Sequence, residues 1–169
     1  MTEVAISGAG IGGLVAALCL KSKGFNVKVF EADTEIRALG VGINIMPHAS
    51  KLLIQLGLGP QLDALGVQTR CIEYRTKFGH LIQSDPRSIE AGFEAPQYSI
   101  HRGELQAMLA SEVEKQLGNS SIKLNKPVVG FRQGDNTVTI LFKDGSEFNI
   151  DLLIDATGLH SKIRKQMNP

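Results

Sequence analysis

Cysteine is scarce in this chain, which contains two among 169 residues. Cys19 lies in a predicted helix and Cys71 lies far along the chain in a predicted strand, so the pair indicates free thiols and argues against a disulfide framework or a cysteine metal site. His48 has no carboxylate or nucleophile placed near it in sequence. We therefore predict no metal site and assign no catalytic residue.

An excess of charge of one sign is also absent. Eighteen Lys and Arg residues against seventeen Asp and Glu residues leave a net charge of +1, without a long run of either sign. This balance argues against binding to nucleic acid or to an anionic membrane surface. The longest apolar run, Leu14 to Leu20, is too short to cross a bilayer. The N-terminus lacks the basic and apolar segments of a secretory signal, so we expect a cytoplasmic protein.

What the chain does contain is enough apolar sequence for one folded domain. Its 43% apolar and 21% charged residues are ordinary for a globular protein of this length. Strands alternate with helices along the N-terminal part, and the pattern predicts an α/β fold.

The organising motif is a glycine turn between a predicted strand, 4–7, and a helix that begins near Leu14. Gly8, Gly10 and Gly13 fit the spacing G-x-G-x-x-G. In such a turn the first glycine permits the tight bend, the second lets a pyrophosphate approach the backbone, and the third lets helix and strand pack closely. The helix N-terminus then faces the phosphates.

Glu31 follows the next predicted strand, where a carboxylate can accept both hydroxyls of an adenosine ribose. Together with the glycine turn it predicts a site for FAD or NAD, and these residues alone leave the two ligands open. The alternative is an ordinary βαβ unit in which Glu31 is a solvated strand end.

Two later segments each allow two interpretations. The uncharged segment 40–46 suits either a loop that lies flat against a large ring or a turn before a buried strand. Arg102, at a strand-to-helix junction, suits either a contact with a phosphate or ribose oxygen or a surface ion pair with Glu104. Spacing alone favours the ion pair.

The remaining pattern predicts strands in three arrangements. A hairpin is expected from 67–75 and 80–84, and a three-stranded antiparallel meander from 128–133, 137–142 and 147–150. The segment Leu152–Leu153–Ile154 is apolar throughout and does not alternate with polar residues. This pattern predicts a parallel strand that is buried on both faces.

Taken in order, these segments resemble the FAD-binding half of the single-component (class A) flavoprotein aromatic hydroxylases. The glycine turn is shared with many FAD and NAD proteins. The stretches EIRALGVGINI at 35–45 and PQYSIHRGELQ at 96–106 are more selective, and they are particularly similar to the phenazine-modifying hydroxylases.

The resemblance implies a Rossmann-like FAD-binding domain over 1–169, with a parallel sheet, a β-meander and, at 67–100, inserted strands of a substrate-domain sheet. It implies FAD contacts along the glycine turn, at the ribose, beside the isoalloxazine, near the adenine and after the last strand. In that order these residues are Gly8, Ala9, Gly10, Ile11, Gly12, Gly13, Glu31, Ala32, Val41, Gly42, Ile43, Arg102, Val129, Asp155, Ala156 and Gly158.

The resemblance also implies an activity: NAD(P)H reduces FAD, and a flavin hydroperoxide hydroxylates an aromatic, phenazine-like substrate. The sequence departs from the family at two places. Asp155-Ala156-Thr157-Gly158 replaces the usual Gly-Ala-Asp-Gly, which affects nicotinamide handling. The family's C-terminal half, which completes the flavin site, is expected to be absent. The alternatives are therefore a hydroxylase complemented by a second chain, an FAD- or NAD-binding module without activity, and a decayed fragment that self-associates.

Overall fold

The computed structural model describes residues 2–37 and 40–168. Ala38 and Leu39, which belong to the 35–45 stretch, lie outside the described residues, as do Met1 and Pro169. The chain divides into two compact units, Met1–Arg37 with Gln106–Pro169, and Ala38–Leu105.

Strands and helices are interspersed along the chain from Glu3 to Met167. In chain order the strands are β1 (Glu3–Ser7), β2 (Asn26–Phe30), β3 (Gly42–Ile45), β4 (Gly66–Gln68), β5 (Cys71–Arg75), β6 (Leu81–Pro86), β7 (Tyr98–His101), β8 (Ile122–Lys123), β9 (Val128–Gln133), β10 (Val138–Phe142), β11 (Glu147–Ile150) and β12 (Leu152–Asp155). The α-helices are α1 (Ile11–Ser22), α2 (Pro47–Gln55), α3 (Gly59–Leu65), α4 (Arg102–Leu117) and α5 (Lys162–Met167).

The first unit is built on a parallel sheet with the strand order β12-β1-β2-β8. Val4, Ile6 and Val29 are fully buried in it, and α1 contributes the buried side chains of Leu14 and Leu18. The prediction of a parallel strand at 152–154 is confirmed. Its burial on both faces is wrong, because β12 lies at the sheet edge and Leu152 is 45% exposed.

The predicted meander is present as the antiparallel sheet β11-β10-β9, which packs on the parallel sheet. Phe142 stacks at a tilt against Phe30, with ring centroids 4.9 Å apart. Ile140 and Ile150 complete this apolar layer with Ala5. Helix α5 is fastened to the meander through Gln166, whose side chain accepts from the Phe131 N–H and donates to its carbonyl oxygen.

The second unit contains an antiparallel sheet of order β3-β7-β4 and the separate hairpin β5-β6. The single strand predicted over 67–75 is therefore wrong. The chain changes partners after β4, because the Thr69 N–H bonds to the Gln97 carbonyl and the Arg70 carbonyl accepts from Arg87. Strand β4 thus pairs with β7, whereas β5 pairs with β6.

None of the helices in the described ranges has the length and apolar character needed to cross a membrane. Across 2–37 and 40–168, no group of His, Cys, Asp and Glu side chains is arranged to hold a metal ion.

Candidate dinucleotide site

The glycine turn connects β1 to α1, and two of its glycines leave no room for a side chain. Gly8 has φ of +105°, and a Cβ there would lie 2.7 Å from the Ala156 carbonyl oxygen. A Cβ on Gly13 would lie 2.0 Å from the Gly8 carbonyl oxygen. Both distances are far below contact between real atoms, so Gly8 permits the bend and Gly13 permits the close packing of helix on strand.

The other two glycines face open space. Beyond its chain neighbours and the backbone of α1, a Cβ on Gly10 or on Gly12 would meet no atom of the described residues within 4 Å. Gly10 is the N-cap of α1, and no side chain within 2–37 and 40–168 caps the helix there. The unpaired N–H groups and the positive dipole end of a 12-residue helix therefore face a space that a diphosphate can occupy.

Glu31 lies directly after β2, and its carboxylate touches the glycine turn. One oxygen, Oε2, accepts from the Ala9 N–H at 2.6 Å, and Oε1 accepts from the Asp33 N–H at 3.0 Å. A carboxylate has about four acceptor positions. Two of them remain for the paired hydroxyls of a ribose, and the half-buried position keeps them accessible.

The adenine-side candidates lie along one neighbouring stretch of backbone. The Lys126 N–H donates to the Glu31 carbonyl oxygen at 2.7 Å, and the Asn125 N–H donates to Asp33 at 2.8 Å. These bonds place the start of β9 beside the segment that contains Glu31 and Ala32. Val129 is half-buried in β9, three residues beyond Lys126.

The Asp-Ala-Thr-Gly turn after β12 adjoins the glycine turn, because the Ala156 N–H donates to Ser7 and Ala156 limits the space at Gly8. Asp155 is used locally: Oδ1 accepts from the Thr157 N–H and hydroxyl, and Oδ2 accepts from the Ser161 hydroxyl. Ser161 in turn caps α5 at the Arg164 N–H. Gly158 has φ of +76° at the start of a short 3-10 helix.

Gln106 is a site residue that the sequence pattern does not reveal. It lies in α4, and its side-chain Nε2 donates to the Ala9 carbonyl oxygen at 2.9 Å. In sequence it is one polar residue beside the apolar stripe of Leu105, Leu109 and Val113. Only its place inside the family-like stretch 96–106 sets it apart.

In the second unit, the structure brings together the four residues predicted on the flavin side. The Arg102 N–H donates to the Val41 carbonyl oxygen at 3.1 Å, and β3 pairs with β7 so that Gly42 stands opposite His101. Val41 is 77% exposed and Ile43 is half-buried. Among the described residues, Arg102 forms no ion pair with Glu104, so the surface ion pair expected from spacing is not found.

Comparison with known proteins agrees with this geometry. A family model described as an FAD binding domain matches residues 1–168. Phenazine 1,6-dicarboxylic acid hydroxylase of Lysobacter antibioticus is 39% identical, over 99% of this chain and 43% of the relative. 3-Amino-4-hydroxybenzoate 2-monooxygenase of Streptomyces cremeus is 34% identical, over 98% of this chain and 42% of the relative.

Among solved structures, HpxO of Klebsiella pneumoniae, complexed with FAD and uric acid, superposes with a TM-score of 0.82. It is 31% identical, and the match covers 98% of this chain and 41% of that one. The chain thus spans less than half of the length of these relatives.

Proposed function

Because the chain belongs to the FAD binding domain family, we propose that it holds FAD at the glycine turn as part of an NAD(P)H-dependent aromatic hydroxylase. The observation that carries this proposal is the contrast between two pairs of glycines. Gly8 and Gly13 are closely packed against the protein's own backbone, whereas Gly10 and Gly12 border open space at a helix N-terminus.

Each predicted residue then has a physical task. The N–H groups at the start of α1, from Ile11 to Gly13, stabilise the diphosphate charge. Glu31 accepts the ribose hydroxyls, Ala32 borders them, and Val129 provides apolar contact for the adenine. Asp155, Ala156 and Gly158 supply the backbone that borders the turn from the side of β12.

The flavin side is assigned to the second unit. Val41, Gly42 and Ile43 offer an uncharged strand edge on which a planar ring can lie, and the Arg102 guanidinium binds a phosphate or ribose oxygen of the cofactor. Bound FAD would supply the redox chemistry, since it takes electrons from NAD(P)H and activates oxygen for transfer to the substrate. The protein binds, orients and desolvates the reactants.

For the substrate we propose an electron-rich aromatic compound of the phenazine carboxylic acid class. The support is the 39% identity to a phenazine 1,6-dicarboxylic acid hydroxylase. A second candidate function is dinucleotide binding without turnover unless a second chain complements it. The glycine turn supports it, because the open space at the N-terminus of α1 suits a diphosphate whether or not turnover follows.

Flavin titration and turnover assays separate these functions. Purified protein should quench FAD fluorescence with saturation, and Glu31→Ala should weaken FAD binding by about 1–3 kcal/mol if the lost hydrogen bonds are desolvated. NAD(P)H oxidation that phenazine carboxylic acids stimulate indicates the hydroxylase. Saturable FAD binding without NAD(P)H oxidation indicates the binding module. Well-folded protein that binds neither FAD nor NAD at high concentration contradicts both.

A further inference from the structure

We propose that Gln106 is a positioning residue, which fixes the peptide of the glycine turn that faces the FAD diphosphate. Ala9 is fully buried in that turn. Its carbonyl oxygen accepts from Gln106 Nε2 at 2.9 Å, and its N–H donates to Glu31 Oε2 at 2.6 Å. Two side chains distant in sequence therefore hold the backbone of one residue from both ends.

The hydrogen bond from Gln106 also orients the peptide group between Ala9 and Gly10, which faces the proposed ligand. A trans peptide is planar, and its C=O and N–H groups point in opposite directions. The bond from Gln106 to the Ala9 carbonyl oxygen therefore also sets the direction of the Gly10 N–H. Gly10 is the N-cap of α1 and borders open space, where the diphosphate is proposed to lie.

In the hydrogen bond between Gln106 and Ala9, the donor must be the glutamine side chain. A backbone carbonyl oxygen only accepts hydrogen bonds, so the NH2 group of the Gln106 amide must face it. Leucine matches the glutamine in size and donates nothing. Ionised glutamate places a negative charge against the carbonyl oxygen, whereas protonated glutamic acid regains a donor.

This inference rests on the proposed FAD site. The hydrogen bond from Gln106 acts by preorganising that site. With the Ala9 peptide held, the N–H groups of the turn are oriented before the ligand arrives, and binding does not bear the cost of ordering them. Loss of the donor should therefore weaken ligands that contain a diphosphate and should leave adenosine alone unaffected.

The test compares Gln106→Leu with a matched control on the same helix, Gln116→Leu. Gln116 is exposed, and its amide donates to Glu112 at 2.8 Å. We expect Gln106→Leu to raise the Kd for FAD and for ADP about fivefold to tenfold, as the loss of one hydrogen bond of about 1 kcal/mol implies. Adenosine affinity, measured by calorimetry, should change less than about twofold, and Gln116→Leu should match the wild type for all three ligands.

A second variant gives a readout that a merely structural role would not produce. Gln106→Glu should bind FAD weakly at pH 8 and regain affinity as the pH falls towards 5, because a protonated carboxyl group can again donate to Ala9. The wild-type affinity should stay nearly flat over this range. If Gln106→Leu does not fold, the pH profile of Gln106→Glu and its ratio of ADP to adenosine affinity decide the matter.

Unchanged FAD affinity in Gln106→Leu would overturn this inference alone, as would an equal loss for adenosine and ADP or a flat pH profile for Gln106→Glu. Failure of the wild-type protein to bind FAD would overturn the proposed function and this inference with it.

Discussion

At the scale of single residues, substitutions in the glycine turn should separate effects on folding from effects on FAD binding. Gly13→Ala should destabilise the protein, since its Cβ would fall 2.0 Å from a backbone oxygen, and over-packing of this kind costs about 1–3 kcal/mol or more. Gly10→Val should retain most of the stability, because its φ of −68° suits any residue and its side chain enters open space. It should nevertheless abolish FAD binding by filling the diphosphate site.

Thermal unfolding followed by circular dichroism, together with FAD titration, measures both effects. Gly59→Ala in α3 is the control, because Gly59 is not a predicted site residue and its Cβ would make only an ordinary contact, 3.7 Å from the Ile54 side chain. A Gly10→Val protein that binds FAD normally would refute the placement of the diphosphate.

Arg102 offers a second test at this scale, since electrostatics separate its two possible roles. It is the first residue of α4, where a positive charge lies at the positive end of the helix dipole. Its removal should therefore leave the free energy of unfolding unchanged or slightly raise it. If the guanidinium binds a cofactor oxygen, Arg102→Ala should weaken FAD by roughly 1.5–3 kcal/mol, as expected for a charged hydrogen bond.

Denaturant unfolding and flavin titration of Arg102→Ala should be compared with those of Arg132→Ala. Arg132 is an exposed residue of β9 that pairs with Glu147. Equal FAD affinity for both variants would show that Arg102 is a surface residue that does not contact the cofactor.

At the scale of elements, local patterns predict structure where the cause is itself local. The glycine turn and the meander follow from spacing and turn residues, and the structure confirms them, as it does the first helix, which begins at Ile11 instead of near Leu14. The strand predicted over 67–75 fails because its break depends on Gln97 and Arg87, which lie far along the chain. Gln106 escapes notice for the same reason, since its partner Ala9 is 97 positions away.

One polar cluster joins three elements of the second unit. The buried Tyr98 of β7 donates its hydroxyl to Asp63 of α3 at 2.7 Å, and Gln68 of β4 donates to the same carboxylate. Burial, reinforced by the bond to Asp63, raises the pKa of Tyr98 to about 12. The hydrogen bonds from Tyr98 and Gln68 hold the pKa of the Asp63 carboxyl below its usual range.

This cluster predicts a loss of stability in alkaline solution. A tyrosine with a raised pKa in the folded state contributes its full stabilisation below pH 10, and the contribution declines as the pH rises towards 12. Tyr98→Phe should lower the free energy of unfolding by about 1 kcal/mol at pH 7, through the lost hydrogen bond. The difference between wild type and Tyr98→Phe should then shrink between pH 10 and pH 12.

Urea unfolding at a series of pH values measures that difference. Tyr74→Phe serves as the control, because Tyr74 is an exposed residue of β5. A difference that stays constant up to pH 12 would show that Tyr98 titrates alike in the folded and unfolded states.

At the scale of the whole molecule, the first unit contains both the glycine turn and a parallel sheet whose edge strand is β12. The first unit holds the glycine turn, Glu31 and Gln106, whereas β12 ends its parallel sheet on one side. The relatives have more than twice this chain's length. The proposed binding of the adenosine and diphosphate thus depends on residues of the first unit, whereas hydroxylase turnover in the relatives belongs to a longer polypeptide.

The open edge predicts self-association of the 169-residue chain. Leu152 is 45% exposed on β12, beside a groove of about 260 Å³ whose apolar lining includes Phe131, Leu153 and Met167. Exposed apolar strands at a sheet edge pair readily with other chains, and a lysine at the edge opposes this pairing. The weight-average mass from sedimentation velocity should therefore rise with concentration in the wild type and stay near the monomer mass in Leu152→Lys. Phe78→Lys, at a 75% exposed position in the β5-β6 turn, should behave as the wild type. Association that persists unchanged in Leu152→Lys would place the contact elsewhere.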